Sequence, residues 1–508
     1  MGPLAFTFFV ATAITTAVWC IFRWGKPRQD PPLPPGPFSL PLLGNLPFLD
    51  SDLHRCFAKL SRTYGPVMTI RLGCRLSVVL SSPSAVREAL KDNGITFANH
   101  DAPASALAAV GAGEDILWAP YGPLWRTLRR VSVHTLLSPA SVESVSPLRR
   151  GEVRRMVAAV NAKAGSPVEI RELVFLTTLN VMARMIWGGT VDDDGVGKEF
   201  KLVMEGIVEL LMKPNISDFY PLLAFLDIQG LGKRMVSLTD WYYRIFDTIV
   251  EERRRTTTAN GAAAHNDFLQ VMLEVLDTGG DSKENLTMDQ LKTLFMELIG
   301  GGTDTTSTTV EWAMAELLSN PKTMERTREE LKAVVGENRV VEETDIPRLH
   351  YLDAVVKEVL RLHPPLPLLV PHSPSSSCTV DGFTVLKGAK VFVNVWAIHR
   401  EPSAWEDPLS FKPERFLGGD GIVKYDYSGN NFNYLPFGSG RRICPGISLG
   451  EKMVMYILAS LLHSYEWRMP ENTRLDLTEK FGIVLKKAQP LVAIPSARLE
   501  QPGLYSST

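Results

Sequence analysis

Cys444 stands in the run Phe437-Gly438-Ser439-Gly440-Arg441-Arg442-Ile443-Cys444-Pro445-Gly446, and the residues around it suit a sulfur that serves as a metal ligand. A thiolate ligand needs cations nearby and donors aimed at it. Arg441 and Arg442 supply charge, and the glycines let the backbone fold tightly around the sulfur. Pro445 suits the first position of a helix, so Cys444 is predicted at a helix N-terminus, whose dipole also favours an anionic sulfur. A lone intracellular cysteine is more often a small buried hydrophobe. The pattern around this one points instead to a prepared ligand.

A second stretch carries a different signal. Thr287-Met288-Asp289-Gln290 has the form of a capping box, and the helix it opens is predicted to run to Asn320-Pro321. Its centre reads Gly300-Gly301-Gly302-Thr303-Asp304-Thr305-Thr306. Each glycine costs about 1 kcal/mol relative to alanine inside a helix. A threonine hydroxyl can bond the carbonyl four residues back, here Thr305 to Gly301, bending the helix and leaving room for a ligand against the glycine backbone. Alone the stretch reads as a glycine-rich turn between two helices. Beside the cysteine loop it reads as one helix opened for use.

Two further pairs have helical spacing. Trp125 and Arg129 are four apart, so on a helix they share a face from which an indole N–H and a guanidinium can both donate to a carboxylate. Glu358 and Arg361 are three apart, just before His363-Pro364-Pro365 stops their helix. Most pairs of that kind are surface ion pairs of little worth.

Taken together, Phe-x-x-Gly-x-Arg-x-Cys-x-Gly at Phe437 to Gly446 resembles the haem-binding loop of the cytochrome P450 family, and the other motifs follow that family's order. The resemblance runs from about residue 30 to about residue 498. It implies a haem b whose iron takes the Cys444 thiolate as fifth ligand, pushing electron density onto the metal and favouring O–O cleavage. It also implies that Thr305 and Asp304 support proton delivery to dioxygen, and that Trp125, Arg129, His372 and Arg442 hold the haem propionates, with Arg442 the firmer partner. Glu358, Arg361 and Arg415, the last from Pro413-Glu414-Arg415-Phe416, become a buried ionic cluster that holds the haem-side core. Gly301 stands where alanine is commoner, and Ser373 where many plant relatives have arginine.

The proline hinge and Ala397-Ile398-His399-Arg400 resemble a plant microsomal member, near the terpenoid and flavonoid hydroxylases. Such an enzyme inserts one atom of O2 into a C–H bond of a lipophilic small molecule, with electrons from NADPH through NADPH–cytochrome P450 reductase. A related class rearranges or dehydrates a hydroperoxide on the same haem without a reductase, and a haem-binding electron carrier is a third reading. Intact Thr305 and the uninterrupted Phe437–Cys444 spacing count against the second, and the opened helix against the third.

The rest of the chain must position these residues. Its 508 residues are 45% hydrophobic and carry a formal net charge of -2, and no basic stripe points to nucleic acid. Five scattered cysteines argue for a reducing compartment without a disulfide framework. Leu4 to Phe22 is uncharged and about as long as a membrane-spanning helix, and Arg23, Lys26 and Arg28 follow at once. That predicts a single-pass anchor (1–24) in the endoplasmic reticulum membrane, with the catalytic body in the cytosol. A basic, proline-rich hinge (25–38), a catalytic domain (39–498) and a tail (499–508) would follow. The expected fold is mostly α, with a small β-rich subdomain that includes strands at 67–72 and 77–80. Residues 102–117, 366–370 and 481–484 are expected to line an apolar pocket. Arg126, Arg130, Arg441 and Lys452 are expected on the cysteine side, where a reductase would dock.

Overall fold

The computed structural model describes residues 31–506 apart from 111–112, 191–195, 261–266, 279–285 and 419–424. The expected anchor and the basic part of the hinge lie outside these residues. Among the described residues no helix is long and apolar enough to cross a membrane.

The molecule is built on one 32-residue helix, Met288–Ser319. The predicted capping box forms: Gln290 N donates to Thr287 Oγ1 at 3.2 Å, and Thr287 N to Gln290 Oε1 at 3.0 Å. Asn320 ends the helix and Pro321 opens the next, Pro321–Val335. Apolar residues occur all round the central helix, so most of its surface is covered. The helices Ile170–Trp187, His350–Leu362 and Ile447–Ser464 pack against it. Phe295 and Trp312 of the central helix are fully buried in the core these helices share.

Among the described residues, two sheets of three or more strands accompany this helical body, besides two two-stranded ones. The larger has the strand order Val67–Leu72, Arg75–Leu80, Lys390–Val393, His372–Ser373, Asn99–His100. Its first two strands pair antiparallel from Val67↔Leu80 to Leu72↔Arg75, two residues longer at the turn than expected, because Gly73 takes a positive φ of 61° and lets the chain reverse at once. At the other edge, His100 pairs with His372 and puts two imidazoles 5.0 Å apart. The smaller sheet joins Val168–Glu169, Val492–Ala497 and Tyr465–Arg468.

Two of the expected flanking segments pack on the body. The proline run is no free spacer from Pro31 onward. Thr384 donates to the carbonyls of Pro31 and Pro32, and Thr69 N to Pro35 O at 2.8 Å. Prolines cannot donate, but their carbonyls accept, so the run is strapped onto the body from one side only. The tail is likewise docked: Tyr505 is buried, donates to Ser464 O at 2.9 Å and accepts from Leu499 N at 2.8 Å.

Candidate active site

The cysteine loop is closed by Cys444 N donating to Phe437 O at 3.0 Å. Gly438 and Gly440 both have positive φ, and a Cβ on Gly440 would fall 2.4 Å from Leu90 O. No other residue fits there. The helix behind the loop starts at Ile447 with Gly446 as its cap, so Pro445 lies before the helix and not at its first position. What reaches the sulfur is the Gly446 N–H, 3.4 Å from Sγ. The cation that acts on Cys444 is Arg129. Arg441 instead donates to the Tyr121 hydroxyl at 3.0 Å, and Arg442 turns to backbone carbonyls. Burial pushes the thiol up, and the Gly446 N–H and Arg129 pull it back. A buried thiol so placed gives up its proton when a metal takes it.

Facing inward, the central helix is open in one place only. From Gln290 to Leu317 every residue is buried except Glu297, Gly300, Gly301, Gly302 and Thr305. Glu297, Gly301 and Thr305 are four apart and share a face. A Cβ on Gly301 would meet nothing within 4 Å. Thr305 Oγ1 donates to Gly301 O at 2.6 Å, as the sequence predicts. Its proton is therefore used within the helix, and its lone pairs are left to accept. On the far side of the segment, 366–370 reaches the cysteine loop: Leu369, at φ 49°, lies against the Gly438 position.

Asp304 does not share that opening. It is buried between Arg171 Nη2 and Lys486 Nζ, each at 2.8 Å. Both partners come from elements far away in the sequence, so the pairing was not legible there.

The four expected propionate donors are mostly engaged elsewhere. Trp125 Nε1 donates to Ile116 O at 3.0 Å. His372 Nδ1 donates to Phe97 O at 2.8 Å, and burial holds this imidazole down at about 4, so it is neutral and its Nε2 can only accept. Arg442 donates from Nε to Ala98 O at 2.6 Å, from Nη1 to Ile116 O at 2.9 Å and from Nη2 to Ala119 O. Arg442 thereby ties the cysteine loop to Ala98, Ile116 and Ala119, with its guanidinium 4.5 Å from the Trp125 ring centre. Arg129 is different. It is largely desolvated and has no hydrogen-bond or carboxylate partner among the described residues.

Glu358, Arg361 and Arg415 meet in a cluster in which the first two are fully buried and Arg415 is partly covered. Arg361 grips Glu358 with Nε at 2.7 Å and Nη2 at 2.8 Å, and Arg415 Nε adds 3.0 Å. Arg361 also donates to the carbonyls of His399, Pro408 and Ser410, tying the helix to the loop ahead of the cysteine.

A glycine-bound thiol, a half-buried cation without an anion among the described residues and a helix with one open face fit a haem. Cys444 would take its iron and Arg129 a propionate. The family model described as "Cytochrome P450" matches residues 34–494. This chain therefore belongs to the cytochrome P450 family, whose members are haem-iron thiolate enzymes. It is 38% identical over 476 residues to geraniol 8-hydroxylase of Catharanthus roseus, covering 92% of this chain and 95% of that protein. It is equally 38% identical over 488 residues to flavonoid 3'-monooxygenase of Petunia hybrida, covering 94% of each. Among solved structures, a zebra fish cytochrome P450 with progesterone matches with a TM-score of 0.75 at 28% identity, covering 87% of this chain and 99% of that one. The chain is a cytochrome P450 monooxygenase.

Sequence reasoning missed Asp115, Glu297, Arg171 and Lys486. For Glu297 a signal was there: a carboxyl one turn before Gly301 in an otherwise apolar run.

Proposed function

We propose that this monooxygenase hydroxylates a lipophilic plant secondary metabolite, of the terpenoid or flavonoid kind, at the endoplasmic reticulum membrane. It uses O2 and NADPH electrons passed on by a flavoprotein reductase. The observation that carries the reading is the single open face at Gly301 and Thr305 on a helix that is otherwise buried. Relatives of similar identity named for geraniol and for flavonoids support both substrate classes alike.

When bound, haem supplies the oxygen-activating chemistry. Gly301 then leaves space for substrate and oxygen beside the backbone, and Thr305 offers an acceptor to a proton-bearing group in that space. Asp304 enters only when Arg171 or Lys486 releases it, so its part in moving protons is conditional on that ion pair opening. Glu358, Arg361 and Arg415 keep the loop ahead of Cys444 in register. Arg126, Arg130 and Arg441 remain exposed for an acidic reductase face, whereas Lys452 is already held by Glu143 at 2.9 Å.

The test is a reconstituted reaction with reductase, NADPH and either a monoterpenoid alcohol or a flavonoid, following NADPH, hydrogen peroxide and product together. Product bearing one oxygen from 18O2 is expected with one class. Thr305→Ala should keep haem and substrate binding while lowering product per NADPH, and Thr305→Ser should recover part of it. Turnover driven by an organic hydroperoxide without reductase would overturn the reading.

A further inference from the structure

Residues 116–119 cross between the central helix and the cysteine loop, and every backbone polar group that anchors them is accounted for by a side chain. Their four N–H groups go to two carboxyls. Ile116 N donates to Glu297 Oε2 at 3.1 Å and Leu117 N to Glu297 Oε1 at 3.2 Å. Trp118 N and Ala119 N both donate to Asp115 Oδ1, the second at 3.2 Å. Their carbonyls accept from the haem side: Ile116 O from Trp125 and Arg442, Leu117 O from His100 at 2.8 Å, and Ala119 O from Arg442.

That leaves one buried oxygen, Asp115 Oδ2, without a donor among the described residues. The Glu297 carboxyl holds the two N–H groups next along the same segment, which brings it beside Asp115, and each carboxyl acts on the other's titration. Two carboxyls this close cannot both ionise cheaply, and a proton between them would satisfy the orphaned oxygen. We propose that Asp115 and Glu297 share one proton, and that the pair is a positioning latch holding residues 116–119, and through them Trp125 and Arg442, against the haem.

The surroundings agree with a shared proton. Burial pushes both groups above the usual carboxylate range; Asp115 raises Glu297 further, whereas the hydrogen bond from Glu297 pulls Asp115 back down. The cation facing the pair is Arg442, already spread over carbonyl oxygens, and Tyr243 faces Asp115 from the helix Leu231–Asn260. Glu114 is held apart by Gln290 at 3.2 Å, and His100 and His372 lie on the haem side of the loop. Glu297 is partly exposed on the open face of the central helix, so the proton has a way out. Since the folded pair holds a proton that the unfolded chain releases at lower pH, the latch is closed at acid and neutral pH. It is lost as pH rises through the folded pair's titration.

The experiment follows haem transfer from the holoenzyme to apomyoglobin between pH 6 and pH 9.5. In the wild type the transfer rate is expected to be flat and then to climb by up to tenfold per pH unit, the limit for one proton. Asp115→Asn places an N–H where Oδ2 stands while keeping the acceptor for Trp118 and Ala119. It should match the wild type at pH 6 and remain flat above. Glu297→Gln, which supplies the same hydrogen from the other side, should flatten the climb as well. Asp115→Ala should lose haem fast at every pH. Parallel profiles for the wild type and both amide variants would overturn the proposal, and circular dichroism on each holoenzyme separates this outcome from misfolding.

Discussion

Gly301 illustrates how much a single missing methyl can decide. Its neighbours have reasons of packing: a Cβ on Gly302 would crowd Met182 Sδ at 3.2 Å, and one on Gly300 would touch Met204 at 3.5 Å. Gly301 has none, and φ there is not left-handed, so helix propensity alone would favour alanine by about 1 kcal/mol. The space it leaves is for what enters the groove. Gly301→Ala is expected to raise stability by about 0.5–1 kcal/mol, seen as a higher Tm, and to lower turnover of the bulkier substrates first. Unchanged turnover across a size series would show that the glycine serves something else.

At the scale of elements, distant segments are held together by a few charged hubs. Glu479, from the Glu479–Lys480 strand, receives Arg55 Nη2 at 2.6 Å, His54 Nε2 and His363 Nδ1 at 3.3 Å, and Trp396 Nε1 at 3.4 Å. His363 reaches on to Glu316 of the central helix at 2.8 Å and stacks on Trp312 with ring centres 3.8 Å apart. Burial pushes the Glu479 carboxyl up, but hydrogen bonds from His363 and His54 and the charges of His363 and Arg400 outweigh it and hold the group well below the usual range. A depressed carboxylate contributes stability above its unfolded pKa, and that stability is lost as pH falls. Glu479→Gln should cost about 3–5 kcal/mol at neutral pH, since it leaves the largely buried Arg400 guanidinium without its counter-charge. Its denaturation midpoint should also depend less on pH below 5. Equal acid sensitivity in both proteins would remove Glu479 from this role.

Such hubs mark the limit of what the chain discloses before it folds. The central helix was legible from end to end, because a capping box and Asn320-Pro321 are local signals. So was the Thr305–Gly301 bond, set by helical spacing. The partners of Asp304 were not, because Arg171 and Lys486 reach it only after the helix Ile170–Trp187 and the strand Lys486–Lys487 have docked. Nor were the carbonyl partners of Trp125, His372 and Arg442 legible there. The carbonyls that take their protons belong to loops whose course no periodicity fixes.

For the molecule as a whole, the described body begins earlier than composition suggests. The carbonyls of Pro31, Pro32 and Pro35 cap strand residues Thr384 and Thr69, and Gly36 lies so close to Thr69 O that a Cβ would fall 2.0 Å from it. Removing residues 1–24 is expected to weaken membrane attachment and leave haem uptake intact. Removing residues 1–37 should also lower Tm, because the strap over the larger sheet is lost. Identical thermal midpoints for the two truncations would mean the strap contributes nothing.

Cys444 is the proposed iron ligand, and the ferrous carbon monoxide spectrum of the full-length protein and its Cys444→Ala variant tests that most directly. The wild type is expected to give the thiolate-type spectrum and the variant to lose it, with any haem that remains showing a different axial ligand. A thiolate-type spectrum retained in Cys444→Ala would contradict the assignment.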